Sequence, residues 1–283
     1  MTTDEDRTES TRGPDIGLVT RDRMPDWGPR YTETPPDPYA PDSPRIAEPW
    51  NTVTASFFIV IVAFWVWRLR GRYSRYPFLC CCLPILLAGG IGGTLYHATR
   101  VSIVYFLLDV VPISLLGLAG AIYMLIRVGH TAGWKRQVLF GGGAVILYLL
   151  VNFVLFPTLQ TTSLGGNPNW RVNLSYASLA ILVVTPIVAV LIRTRFRHGG
   201  WFVSGLLSFV IAWFFRLYDL KLGLYLPMGS HWLWHTFGAI TTALIFEYFY
   251  YIEGEAIEPA TPSPPGSQAD FIAESSATDK EGP

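Results

Sequence analysis

His231 and His235, four residues apart in Gly229-Ser230-His231-Trp232-Leu233-Trp234-His235, open the last long apolar run of the chain. On a helix, residues at that spacing lie about one turn apart on one face, so the two imidazoles can grip one metal ion together. Histidine within an apolar span is costly and marks a functional site by default. A pair is still an incomplete metal site. A third ligand, a proton acceptor and a substrate have to come from other parts of the fold.

The elements that could bring them are apolar helices. The 283 residues are 51% hydrophobic, 14% aromatic and only 15% charged. Of the 21 acidic residues, only Asp109, Asp219 and Glu247 lie between residues 49 and 252. A surface with so few carboxylates is not that of a soluble domain, so its solvent is lipid. Seven runs, at 52–69, 77–97, 103–127, 137–157, 173–193, 200–217 and 230–252, are each long enough to cross a hydrocarbon core as a helix. The expected fold is therefore all-α, a seven-helix integral membrane bundle over 48–252. It lies between a polar, largely disordered segment (1–47) and a disordered tail (253–283). The first segment has no apolar core run and is no signal peptide. Glycines at 89–90 and 92–93 and at 141–143 suit close helix contact in a bilayer. The adjacent Cys80, Cys81 and Cys82 read as small apolar filler.

Basic residues orient the bundle. Arg68, Arg70, Arg72 and Arg75 follow the first run, Arg127, Lys135 and Arg136 the third, and Arg193, Arg195 and Arg197 the fifth. These connections face the cytoplasm, which puts the N-terminus outside or lumenal and the C-terminus inside. In that topology His97, at the outward end of the second run, meets Asp109, Arg216, Asp219, His231 and His235 at one depth, on the side where Glu48 enters. His130 and His198 fall in the basic inner connections and read as loop residues. Glu247, among Tyr248, Phe249, Tyr250 and Tyr251, reads as snorkelling at the inner interface. Three imidazoles with an open position are a catalytic zinc arrangement. Asp109 is a candidate to orient a ligand histidine, to take a proton from bound water, or to pair with Arg216. Asp219 is expected to pair locally with Arg216 or Lys221.

Four stretches, "EPWNTVTAS" at 48–56, "GGTLYHATR" at 92–100, "LLDVVPI" at 107–113 and "GSHWLWH" at 229–235, resemble in order and placement the alkaline ceramidase family. That family belongs to the CREST group of seven-span membrane hydrolases, and the resemblance covers residues 27 to 252. It implies a zinc amidase that cleaves the N-acyl bond of ceramide-like lipids, with His97, His231 and His235 on zinc and Asp109 activating the water. The family places a serine just before the first histidine. Here Gly93 stands four residues before His97 and Thr94 three before, so Thr94 is the candidate to replace that hydroxyl as an oxyanion donor. The resemblance also implies a calcium ion held by acids ahead of the first span. Glu48 matches best, and Glu33 and Asp37 are the nearest further acids, with Asp42 behind them.

The expected function is thus hydrolysis of a lipid amide that enters from the bilayer. The alternative is a non-catalytic lipid receptor or sensor on the same zinc scaffold. No inverted repeat supports a transporter. The basic residues sit at span ends, where orientation explains them, so nothing points to nucleic acid.

Overall fold

The computed structural model describes residues 28–38, 40–128, 134–155 and 170–255. Every regular element among them is helical. The start of the polar N-terminal segment, His130 and the tail from residue 256 lie outside the described residues. The helices are α1 (Pro49–Ala55), α2 (Phe57–Arg68), α3 (Pro77–Thr99), α4 (Ile103–Val128), α5 (Trp134–Leu150), α6 (Trp170–Arg193), α7 (Gly199–Leu222) and α8 (His231–Glu255). A 3-10 turn, Tyr73–Arg75, precedes α3, and α5 runs into a π-helical turn, Val151–Leu155.

Five stretches are long and apolar enough to cross a membrane: Pro49–Arg68, Pro77–Thr99, Ile103–Arg127, Leu174–Arg193 and Gly199–Leu222. The fourth expected run is present as a shorter apolar helix, Gly141–Leu155. The seventh is α8, whose length suffices but whose histidines, tryptophans and tyrosines lower its hydropathy. Many large apolar side chains face outward, and Val60, Trp67, Leu139, Ile181 and Leu207 among them are each more than half exposed. That exterior suits hydrocarbon and not water, so the chain is a multi-pass membrane protein.

The first run is not one straight helix. Thr52, Thr54 and Ser56 donate their hydroxyls to carbonyls three or four residues back, Ser56 to Val53 at 2.6 Å. Such bonds compete with the helical ladder, and the chain turns at Ser56 between α1 and α2. Packing then closes the bundle: α7 lies along α8, α3 along α4 and α4 along α6, while α1 and α2 contact both α3 and α8. The main core sits at the end of the bundle away from His231, where Trp65, Leu79, Phe246, Tyr248, Phe249 and Ile252 are buried together.

The two glycine clusters differ. Gly89 backs onto Pro112, Gly92 onto Leu108 and Gly93 onto Asp109, so α3 and α4 approach more closely than side chains would allow. A Cβ on Gly141, Gly142 or Gly143 would meet nothing within 4 Å, so the contact expected of that cluster is not made among the described residues. Two further expectations change. Glu247 pairs with Arg68 of α2. Glu253, assigned from sequence to the tail, is buried in α8 and accepts the backbone N–H of Phe78 (2.7 Å) and Leu79 (3.3 Å), capping α3.

Candidate metal centre

The structure brings His97, from the last turns of α3, together with His231 and His235, from the first turns of α8. Ligand nitrogens of the three lie within 4.8 Å of one another, and each residue is at most 3% exposed. The Nε2 atoms of His97 and His235 face each other at 3.0 Å. Both ring nitrogens of His231 are buried without a hydrogen-bond partner. Buried polar atoms are rarely left so, and three imidazoles that turn nitrogens towards one point fit a zinc ion.

Glu48 stands behind His97. Its Oε2 lies 2.5 Å from His97 Nδ1, which assigns that nitrogen as the donor and leaves the Nε2 lone pair free to face the centre. Glu48 is wholly buried and fully engaged: Oε1 accepts from Thr34 Oγ1 (2.5 Å) and Arg100 Nη1 (2.8 Å), and Oε2 also accepts from Asn51 Nδ2 (3.0 Å). Burial alone would push its carboxyl up, but the facing His97 and the Arg100 guanidinium hold it down at about 2.

Residues 28–38 and 40–47 form an irregular strap over the histidines. The Tyr31 ring stacks on His231 at 3.7 Å between centroids and lies 5.6 Å from His97. Backbone N–H groups of Ala47 and Glu48 donate to the carbonyls of Ala98 and His97, which α3 leaves unpaired at its end. Thr32 donates its N–H (2.9 Å) and its hydroxyl (3.2 Å) to Asp219 Oδ2. Asp219 Oδ1 accepts the N–H groups of Ser230 (2.6 Å) and His231 (2.9 Å). Asp219, expected to pair with Arg216 or Lys221, therefore caps α8 and fixes where its first histidine begins. Gly229 takes φ +66°, and a Cβ there would stand 2.4 Å from Asp219 Oδ1 and 2.5 Å from Thr32 Cβ, so glycine is required.

Asp109 lies half-buried on α4 with Oδ1 against Gly93; a Cβ at 93 would stand 2.5 Å from that oxygen. The missing side chain at 93 is thus the space the Asp109 carboxylate occupies. Thr94, the expected oxyanion donor, gives its hydroxyl to the Gly90 carbonyl of its own helix at 2.6 Å. Threonine in a helix has that acceptor one turn back, and the bond directs the proton away from the histidines.

The three acids expected around calcium are not gathered into a ligand cluster among the described residues. Glu33 receives the N–H groups of Trp50 (2.7 Å) and Asn51 (3.0 Å) and so caps α1. Burial raises its pKa against the pull of those two donors. Asp37 is exposed. Glu48 faces His97 and Arg100, as above.

Asp109 and His235 lie at one end of a cavity of about 240 Å³ whose other walls are mostly apolar, with Leu116, Val183, Leu206 and Ile245 along it and Phe78 and Phe249 at the far end. From His235 to Phe249, both on α8, the helix rises roughly 21 Å. Arg216 is held over the rings of Tyr176 (4.9 Å) and Trp234 (5.0 Å), which also line the cavity.

Tyr31, Arg100 and the capping role of Asp219 were not read from the sequence. Their partners lie far away along the chain; the signal available was the aromatic and basic character of Tyr31 and Arg100 beside motif residues. No family model matches the chain, and no curated protein matches it.

Proposed function

We propose that this protein is a seven-span membrane amidase that uses zinc to hydrolyse the N-acyl bond of ceramide-like lipids, similar to the alkaline ceramidases, with its N-terminus outside. The observation that carries the reading is a cluster of three buried histidines, one of which, His235, lines the polar end of an apolar cavity long enough for an acyl chain. His97, His231 and His235 would hold the ion. Bound there, zinc would polarise the amide carbonyl and lower the pKa of water to about 7.

The chain's own groups supply the rest. The cavity walls bury the acyl chain and exclude water from it, which aligns the amide with the polar end. Asp109, on that end, accepts the proton that leaves the attacking water and delivers it to the departing amine. Glu48 fixes the His97 ring by accepting its Nδ1 proton. Arg216, between Tyr176 and Trp234, adds a fixed positive charge beside the site.

The test is product detection from a panel of lipid amides with and without chelator, combined with metal analysis of the purified protein. Metal-dependent release of fatty acid is expected. His97→Ala, His231→Ala and His235→Ala should each lose the bound zinc; normal zinc content in all three would sink the site. One observation favours the receptor reading: the Thr94 hydroxyl is engaged by Gly90 and position 93 has no side chain. Saturable lipid binding without turnover would decide for it. Reporter fusions at each connection test the seven spans.

A further inference from the structure

We propose that Arg100 is a built-in cation that fastens the N-terminal strap over the three histidines, in the place where a bound calcium ion was expected. Arg100 is wholly buried at the end of α3. Its Nη1 donates to Glu48 Oε1 at 2.8 Å and its Nη2 to the Pro29 carbonyl at 3.0 Å. One guanidinium therefore joins a carboxylate at the entrance of α1 to the Pro29 carbonyl of the strap, and Pro29 lies 71 positions before Arg100 in the chain. A carboxylate and a backbone carbonyl are the oxygens a hard cation would collect. The planar fork reaches both at once, and Tyr96 (4.5 Å) and Tyr31 (5.8 Å) supply aromatic faces to it.

The residues present do not fit a calcium ion as well. Calcium takes about six to eight oxygens. Glu33 is bound to the start of α1, Asp37 is exposed, and both Glu48 oxygens already accept two donors each. Asn51 Oδ1 is a buried acceptor without a partner, but it is a single oxygen. A divalent ion at Glu48 would also face the Arg100 charge, and like charges repel strongly in a buried site. With Arg100 there, the Glu48 charge is balanced without any ion.

The backbone agrees. Arg100 caps α3 in the left-handed region at φ 53°, where glycine is the unstrained choice. A buried non-glycine residue persists there because the surroundings fix it, and the turn brings its side chain back beneath the strap. Arg100 is thus a positioning residue: it holds Glu48, which orients His97, and it holds Pro29, two residues before the Tyr31 ring that covers His231.

The experiment uses the full chain in detergent. Calcium is titrated into protein treated with a calcium chelator, reading bound calcium and the thermal midpoint; no saturable uptake and no shift are expected. Zinc affinity is then measured by competition with a chelating dye. Arg100→Met should weaken it roughly 10–100-fold through the freed Glu48, and Arg100→Lys should restore part of the loss. Uptake of one calcium per chain with a raised midpoint overturns the proposal, as does unchanged zinc affinity in Arg100→Met. Should that variant not fold, the calcium titration and Arg100→Lys decide. A wild-type chain that binds no zinc would sink the amidase reading instead, and the calcium titration would still decide the role of Arg100.

Discussion

Glu48→Gln is the most telling single perturbation, because the substitution keeps shape and removes one charge. The carboxylate accepts four donors, two on each oxygen. A glutamine must place its amide nitrogen on one side. There it faces either Thr34 and Arg100 or Asn51 and His97, so two hydrogen bonds are lost and the amide nitrogen stands against an obligate donor, the Arg100 guanidinium or the Asn51 amide nitrogen. One of the lost bonds involves a charged or chargeable partner in either orientation, and bonds to charged groups contribute about 1.5–3 kcal/mol. Arg100 is left buried without its counter-charge, and breaking a buried pair costs about 3–5 kcal/mol. The two ranges meet at a loss of roughly 3 kcal/mol in folding stability. The variant should also bind zinc about 10–100-fold more weakly, because the His97 tautomer is no longer held. Denaturant unfolding in micelles and a dye competition measure the two effects. A variant with wild-type stability and wild-type zinc affinity would refute the claim that Glu48 organises the site.

Four other outcomes are expected. In metal-stripped protein, the depressed Glu48 pKa contributes stability that is fully present above about 4.5 and is lost as pH falls towards about 2. The stability gap between wild type and Glu48→Gln should therefore shrink across that window in unfolding titrations. Thr94→Val should retain kcat within tenfold, against the roughly 10²–10³-fold loss on removing a true oxyanion donor, as read from fatty-acid release. Gly93→Ser pushes a side chain into the space of Asp109 Oδ1 and should lower both thermal midpoint and turnover, at a cost of about 1–3 kcal/mol. Gly229→Ala forces a left-handed alanine against Asp219 and Thr32; it should cost at least ~1–2 kcal/mol and reduce zinc content, which metal analysis measures.

The histidine cluster was legible because its two signals are of different kinds. The i, i+4 spacing puts His231 and His235 on one face of a helix, and the run of apolar spans carries His97 to their depth. Asp109 reached the cavity by the same argument. Hydropathy alone did less well for α8, since the side chains that make the site are those that lower its apolar score. The break at Ser56 was hidden inside an unbroken apolar run, because hydroxyl bonds to the backbone leave no mark in a hydropathy pattern. The acids were misjudged for a related reason. Glu33, Asp219 and Glu253 each cap the start of a helix, and only for Asp219 does that helix begin nearby in the sequence. Unpaired N–H groups at a helix start attract carboxylates whether or not a metal is near.

The bond between Thr32 and Asp219 joins residues 187 positions apart. The strap is thus synthesised before the helices that follow it, yet it cannot make this bond until the chain has reached the end of α7. The same carboxylate that receives it also begins α8, so the start of α8 and closure of the cover over the histidines share one checkpoint. Until that moment the histidines of a growing chain stay uncovered, which makes assembly of the centre a late event in biogenesis and ties its quality to correct insertion of the final hairpin.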